Sequence, residues 1–266
     1  MRRPRGARRA RPVGARVRRA AVLVVGAALA AAAGALAVWL PPGPLVPAAD
    51  AAVGYVPPDL VRVRAYEAAG GGVEVAPRGS VADLTLVLYP GGRVRPHAYA
   101  WLGVALAPTG VRTLIPTMPL DLAVFGRDRL DALTEAGLVG PGPVVLAGHS
   151  LGGAMAVAHL ARRAEGAVDA LVLMGAYPAS EDDLSGRDLP TLVLAAEHDG
   201  LATPDEVRAG LARLPVGAGV ERIDGAVHAF FGRYGPQRGD GVPTVPRASA
   251  EREIAGALEA FLAAVR

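Results

Sequence analysis

The chain has 266 residues, of which 52% are hydrophobic, and a formal net charge of +3. It contains no cysteine, which excludes disulfides, cysteine-ligated metal centres and a cysteine nucleophile. All 28 basic residues are arginine, so Schiff-base catalysis and the P-loop, which both need a lysine amine, are excluded too. Nine arginines and no acid lie in residues 1–19, whereas residues 20–266 hold the other 19 arginines and all 25 acids, for a net charge of −6. The body of the chain is therefore mildly acidic, which argues against a nucleic-acid partner.

The N-terminal part of the chain has the composition of a membrane anchor. Residues 20–40 carry no charge and include Trp39 near their end, and a helix of that length spans about 30 Å, one hydrocarbon core. Because the arginines precede it, we expect a cytoplasmic tail over residues 1–19, a single transmembrane helix over residues 20–40 and the rest of the chain outside the cell membrane. Residues 41–58 have the composition of a Pro-rich linker.

Two other interpretations of this segment stay open. A signal peptide cleaved after Val46-Pro47-Ala48 would release the domain as a secreted protein. Arg18-Arg19 before the apolar run could also belong to a twin-arginine signal.

Residues 59–266 have the pattern of one α/β domain. Eight short apolar segments predict strands, the first two as a hairpin: Val61–Tyr66, Val73–Ala76, Leu84–Tyr89, Val111–Pro116, Val144–Ala147, Ala170–Met174, Thr191–Ala196 and Gly219–Ile223. Helices are predicted at Pro96–Ala107, Arg127–Ala136, Leu151–Ala164, Pro204–Leu214 and Ala248–Val265. Apolar strands that alternate with helices predict a mainly parallel sheet with helices on both faces. Functional side chains of such sheets lie just after the strands.

The segment Gly148-His149-Ser150-Leu151-Gly152 lies between a predicted strand and a predicted helix. This is the G-x-S-x-G pattern of a nucleophile elbow, where small residues on either side of the serine permit a sharp turn. The turn holds the serine hydroxyl at the N-terminal end of the helix. Ser150 is the expected nucleophile, and a glycine-rich turn without chemistry is the alternative. We expect the side chain of His149 to point elsewhere and to be a packing or wall group.

A serine nucleophile needs a histidine base and an acid that orients it, and after an elbow these follow in the order acid, then histidine. His228 lies in a loop between the last predicted strand and the final helix, where a base is expected. Asp199 follows the seventh predicted strand and is the expected acid. Glu197 and the pair Asp182/Asp183 are the alternatives.

The oxyanion of an acyl intermediate needs two backbone N–H donors. Leu151, directly after the nucleophile, is expected to supply one. Gly92, in the loop Pro90-Gly91-Gly92-Arg93 after the third strand, is expected to supply the other. The rival interpretation, a dinucleotide-binding loop, lacks a third glycine and an acidic partner. His97 and Tyr99 lie too far into the next helix to be predicted ligands, and no metal or cofactor is predicted.

These segments resemble the α/β-hydrolase superfamily and, more closely, its dienelactone-hydrolase-like branch, also called α/β-hydrolase fold-5. The resemblance extends over roughly residues 55–266 and rests on Tyr89–Val94, Met118–Phe125, Gly148–Gly153, Asp199–Pro204, Gly225–Gly232 and Tyr234–Gly241. It implies an α/β-hydrolase fold of about eight strands with Ser150, Asp199 and His228 as the triad. Membrane-anchored members match the N-terminal segment. Dienelactone hydrolase itself has a cysteine nucleophile, so dienelactone is not an expected substrate.

The expected function is that of a serine hydrolase acting on an acyl bond in a small molecule, most simply a carboxylic ester of small or medium size. Only Gly175–Pro190 separates the sixth and seventh strands, too few residues to fold a separate cap domain. The pocket walls are expected to include the apolar side chains Leu120, Leu122, Phe125 and Phe230, with core packing as the alternative. Two other functions remain open, a non-catalytic membrane-tethered binding domain and a cofactor-free perhydrolase.

Overall fold

The structure, a computed structural model, describes residues 59–266. Within this range no helix combines the length and apolar character needed to cross a lipid bilayer. The predicted cytoplasmic tail, transmembrane helix and linker, residues 1–58, lie outside the described residues.

Eight strands form one mainly parallel sheet, as the apolar segments predict. The strands are β1 (Val61–Tyr66), β2 (Gly72–Pro77), β3 (Leu84–Tyr89), β4 (Val111–Pro116), β5 (Val144–His149), β6 (Ala170–Met174), β7 (Thr191–Ala196) and β8 (Gly219–Ile223). Their order is β1-β2-β4-β3-β5-β6-β7-β8. The pairs β1–β2 and β2–β4 are antiparallel and all the others are parallel.

Five α-helices accompany the sheet: α1 (Ala100–Leu106), α2 (Arg129–Glu135), α3 (Leu151–Leu160), α4 (Pro204–Gly210) and α5 (Arg247–Val265). Short 3₁₀ turns extend α1 at both ends and α4 at its C-terminal end. Helix α3 ends before the predicted Ala164. There the guanidinium of Arg187 donates hydrogen bonds to the carbonyl oxygens of Leu160 at 3.3 Å and Arg163 at 2.7 Å, so it satisfies carbonyls that a longer helix would bond internally.

The two faces of the sheet bury two separate apolar cores. Leu86 and Leu88 of β3 pack with α1 and α5, whereas Val87 faces the core formed with α2, α3 and α4. The central strands are therefore covered on both sides, which explains why β3, β5, β6 and β7 are almost wholly apolar. The edge strands β1 and β8 expose most of their residues. Since β3 and β5–β8 run parallel, the loops that follow them meet at one edge of the sheet.

Candidate active site

Ser150 is the single residue between the end of β5 and the start of α3, and its backbone has φ 52° and ψ −125°, values that non-glycine residues rarely adopt. A Cβ atom on Gly148 would lie 2.5 Å from backbone atoms of Gly152 and Gly153. A Cβ atom on Gly152 would overlap the carbonyl oxygens of Tyr89 and Pro90. Both glycines are therefore required by the close approach of backbone segments, as the G-x-S-x-G pattern predicts.

A buried aspartate–histidine pair lies at the ends of β7 and β8. The Nδ1 atom of His228 is 2.8 Å from the Oδ2 atom of Asp199, and the two residues are only 1% and 4% exposed. The other carboxylate oxygen, Oδ1, accepts hydrogen bonds from the N–H groups of Leu201 at 2.9 Å and Ala202 at 2.7 Å. When the Nδ1–H group donates its hydrogen bond to the carboxylate, the other ring nitrogen, Nε2, carries the free lone pair of a base.

The three residues expected to form the triad lie on neighbouring segments. The Ser150 N–H donates to the carbonyl oxygen of Met174 at 3.0 Å, and the next residue, Gly175, packs against the acid–base pair. A Cβ atom on Gly175 would lie 3.0 Å from Asp199 Oδ2 and 3.1 Å from His228 Nδ1. Within residues 59–266, His228 Nε2 is buried and has no hydrogen-bond partner, Ser150 included. Such a bond is often long without substrate and shortens when substrate binds.

The alternative acids have other partners. Glu197 accepts a hydrogen bond from the Gly225 N–H at 2.8 Å, and Asp182 pairs with Arg162 at 2.9 Å. Asp183 accepts from the N–H of Ser185 at 2.8 Å. Asp199 is therefore the one acid among the alternatives considered whose carboxylate the structure places at His228.

The two expected oxyanion donors lie beside each other. A Cβ atom on Gly92 would lie 3.2 Å from the Leu151 side chain. The Leu151 N–H is the first of helix α3, where no intrahelical acceptor is available and the helix dipole favours negative charge. Neither this N–H nor that of Gly92 donates a hydrogen bond to another described residue. Both groups therefore lack an acceptor among the described residues.

Tyr99 connects the oxyanion loop to the elbow, a role that the sequence did not predict. Its hydroxyl oxygen accepts the N–H of Gly91 at 2.9 Å and lies 2.8 Å from Nδ1 of His149. Burial raises the pKa of Tyr99, so the hydroxyl stays protonated and donates a hydrogen bond to Nδ1 of His149. No local pattern marks this contact, because Tyr99 and His149 come from distant parts of the chain.

His149 packs directly against the proposed base, with its ring centroid 4.5 Å from that of His228. Burial, and secondarily the positive charge of a protonated His228, hold the pKa of His149 well below its ordinary value of 6.5. His149 is therefore neutral at pH 7. As expected, His149 is a packing group: besides His228, its ring contacts the rings of Phe231 and Tyr234.

A cavity of about 330 Å³ opens at Ser150 and carries no charged side chain; it is lined by Ser150, Leu151, Ala154, Gly175, Ala176, Tyr177, Ala179, Leu201 and Ala202. Of the predicted wall residues, Leu122 lies near Gly92, 3.8 Å from the position of a Cβ atom there. None of the four predicted wall residues lines this cavity.

Leu120, Phe125 and Phe230 lie away from the cavity in three different settings. Leu120 is 76% exposed in a left-handed backbone conformation with φ 54°. Phe125 is 60% exposed because the turn Ala123–Phe125 buries Ala123 instead. Phe230 belongs to the core against α5, and the guanidinium of Arg247 lies 4.5 Å from its ring centroid.

One group of described side chains has the composition of a cation site, at the C-terminal part of α3. His159 Nδ1 lies 3.3 Å from Asp128 and Nε2 lies 3.6 Å from Asp131. However, Arg163 pairs with Asp131 and lies 3.8 Å from Asp128, and Arg127 lies 3.6 Å from Asp128. Because these guanidinium groups already neutralise both carboxylates, the cluster has the charge balance of an ion-pair network.

A family model described as "Alpha/beta hydrolase family" matches residues 85–252, which run from β3 into α5 and include Ser150, Asp199 and His228. No curated protein matches the chain.

Proposed function

The chain belongs to the alpha/beta hydrolase family, and from this premise we propose that it is a serine hydrolase that cleaves a carboxylic ester of small or medium size. One observation carries the proposal. The elbow serine, Ser150, is hydrogen-bonded to Met174, and the residue after Met174 packs against a buried pair in which His228 Nδ1 is 2.8 Å from Asp199 Oδ2. An elbow and a buried acid–base pair on adjacent loops are what acyl transfer through a serine requires.

The proposed reaction has two steps. Ser150 Oγ attacks the ester carbonyl carbon while His228 Nε2 takes the hydroxyl proton, and Asp199 stabilises the imidazolium that forms. The N–H groups of Leu151 and Gly92 donate to the oxyanion. The C–O bond then breaks, Nε2 gives its proton to the departing alcohol, and the acyl group remains on Ser150. In the second step His228 takes a proton from water, and the water oxygen attacks the acyl carbon. The bond between that carbon and Ser150 Oγ then breaks, His228 Nε2 returns its proton to Oγ, and the acid leaves.

The substrate size follows from the cavity. A volume of about 330 Å³ is near the lower end of the range for small-molecule sites. The lining residues are apolar except for Ser150 and the Tyr177 hydroxyl, so they favour an uncharged acyl group. The segment between β6 and β7 contains no helix or strand that could form a cap. These observations support short and medium acyl chains and argue against activation at a lipid interface.

The finer family assignment and the location belong to the same proposal. We assign the chain to the dienelactone-hydrolase-like branch because of the Tyr234–Gly241 segment, with serine in place of that enzyme's cysteine. We place the domain outside the cell membrane on the single helix proposed for residues 20–40. Protease added to intact cells should digest residues 59–266, and protection until lysis would contradict this topology.

The decisive experiment uses the full chain and a fluorophosphonate probe. The probe should label Ser150, located by peptide mass spectrometry, and should not label Ser150→Ala. The matched control, Ser80→Ala in an exposed turn, should be labelled like the parent. Hydrolysis of p-nitrophenyl esters, tested from acetate to palmitate, should fall in Ser150→Ala on the order of 10⁴–10⁶-fold in kcat.

Three results would contradict the proposal. A labelled Ser150→Ala variant would show that the reactive serine is another one. No labelling of the parent would favour a non-catalytic binding domain. Perhydrolysis of acetate with peroxide, without ester hydrolysis, would favour the perhydrolase.

A further inference from the structure

The Tyr234–Gly241 segment has no part in the reaction proposed above, yet one of its side chains contacts the turn that carries the base. The carboxylate of Asp240 accepts two hydrogen bonds from the start of the His228–Phe231 turn. The His228 N–H donates to Oδ1 at 3.0 Å and the Ala229 N–H donates to Oδ2 at 2.9 Å. Two further backbone groups converge on Oδ1, the N–H of Gly241 at 2.8 Å and that of Gly200 at 3.4 Å.

The bonds from His228 and Ala229 satisfy two N–H groups that have no acceptor within their own turn. The first N–H groups of a helical turn have no acceptor within the turn, and a side chain at the preceding residue usually supplies one. Here that preceding residue is Val227, whose side chain has no polar atom and makes no capping bond. Asp240 supplies the missing acceptor from a distant loop, and its negative charge is favourable at the N-terminal end of the turn.

The same loop also touches the segment that carries the acid. A Cβ atom on Gly200, the residue after Asp199, would overlap the carbonyl oxygen of Gly239. A Cβ atom on Gly241 would overlap the carbonyl oxygen of His198. The residues on either side of Asp199 are therefore in backbone contact with the residues on either side of Asp240. One loop thus contacts both the acid segment and the base turn.

We propose that Asp240 is a positioning residue that fixes the imidazole of His228 relative to Asp199. The inference rests on the proposed function only in that His228 is named as the base. Without the carboxylate, the turn would begin with two unsatisfied N–H groups. The backbone of His228 would then lose its anchor, and the side-chain bond to Asp199 alone would have to orient the imidazole. The imidazole would then spend less time in the geometry needed to take the Ser150 proton, so kcat would fall while the acyl pocket would be unaffected.

The test compares Asp240→Asn and Asp240→Ala with the wild-type full chain. Asparagine keeps one acceptor oxygen and alanine keeps none, so we expect kcat on a short p-nitrophenyl ester to fall about 10-fold and about 100-fold, with KM changed less than about twofold. The matched control, Asp205→Asn, changes an aspartate whose side chain is 89% exposed and should keep wild-type kcat.

A second readout does not depend on turnover. The Nδ1 proton of His228, assigned by its loss in His228→Gln, should give a low-field NMR resonance while it is bonded to Asp199. It should weaken in Asp240→Asn and disappear in Asp240→Ala. If Asp240→Ala does not melt cooperatively, the comparison rests on Asp240→Asn.

Wild-type kcat and an unchanged resonance in a folded Asp240→Ala variant would overturn the inference. A wild-type chain that hydrolyses no ester, but whose resonance is lost on removal of Asp240, would refute the proposed function and support the positioning role. Loss of kcat together with a large rise in KM would also contradict the inference, because that change would place the defect in substrate binding.

Discussion

Replacing Tyr99 with phenylalanine removes one oxygen that serves two buried partners. The hydroxyl accepts from Gly91 at 2.9 Å and donates to His149 at 2.8 Å, and Tyr99 has no exposed surface. Because the ring is kept, no cavity larger than the lost oxygen forms. The substitution therefore isolates the cost of leaving a backbone N–H and an imidazole nitrogen without partners.

The magnitude follows from these two groups. A buried polar group left unsatisfied costs about 1–3 kcal/mol, so Tyr99→Phe should lower the free energy of unfolding by about 2–6 kcal/mol. Typical domains are stable by about 5–15 kcal/mol, so the variant should fold but unfold at clearly lower denaturant concentration. The matched control is Tyr234→Phe, whose hydroxyl makes a single partly buried bond of 3.0 Å to Gln237 and should cost about 1 kcal/mol.

Urea unfolding of the full chain, followed by far-ultraviolet circular dichroism and extrapolated linearly to water, measures both variants. In a His149→Leu background the loss from Tyr99→Phe should be smaller, with a coupling energy of about 0.5–3 kcal/mol. A Tyr99→Phe variant no less stable than Tyr234→Phe, or the absence of coupling to His149, would refute the bridging role.

Three further predictions test the elbow, the buried histidine and the cavity. Gly152→Ala should lower the free energy of unfolding by about 2 kcal/mol or more, because the new Cβ atom would overlap backbone oxygens. The control, Gly256→Ala in α5, has no atom within 4 Å of the new Cβ and should raise the free energy of unfolding by about 0.5–1 kcal/mol. Burial depresses the pKa of His149, so as the pH falls below about 6.5 the His149 imidazole is protonated in the unfolded chain but not in the folded one. The free energy of unfolding should therefore decline by up to about 1.4 kcal/mol per pH unit as the pH falls. The decline should be less steep in His149→Leu. Ala154→Leu narrows the cavity at Ser150 and should lower the octanoate-to-acetate ratio of kcat/KM about tenfold.

Each of these three predictions has a result that would contradict it. A stabilised Gly152→Ala variant would mean that the elbow does not need the close approach of backbone segments. Equal pH slopes for wild type and His149→Leu would mean that His149 is protonated in the folded chain. An unchanged chain-length ratio in Ala154→Leu would mean that the acyl group binds elsewhere.

The central strands could be predicted from the sequence because both of their faces are buried, and the apolar runs that result are visible without any structure. The apolar pattern misses the last two residues of β5. The strand continues past the predicted Ala147, because Gly148 pairs with Tyr89 on one side and Leu173 on the other, and His149 pairs with Met174. Glycine and histidine do not favour strands by themselves, so only the neighbouring strands could reveal these two residues.

The candidate site divides in the same way. Ser150, Asp199 and His228 were predicted from their positions after strands and from chain order. Those two signals left Glu197 and the pair Asp182/Asp183 open as acids, and only the folded chain shows that Asp199 contacts His228. The pocket walls were selected by apolar character alone, which does not say where a loop side chain points, and Leu120 and Phe125 proved exposed. The sequence did single out the segment that contains Asp240, but the role we propose for it comes from its hydrogen bonds to backbone groups brought close only by folding.

Four of the five non-glycine residues with positive φ in the described range lie in the elbow or in the two loops beside it: Arg93, Leu120, Asp121 and Ser150. A residue held in such a conformation costs of the order of 1–3 kcal/mol, a cost that glycine would largely avoid. Heat tolerance and reactivity therefore favour different residues here. Selection for thermostability alone would favour glycine in these loops, and at the elbow it would remove the hydroxyl on which the proposed chemistry depends. At Ser150, in contrast to the three loop positions, a gain in stability would therefore cost the proposed activity.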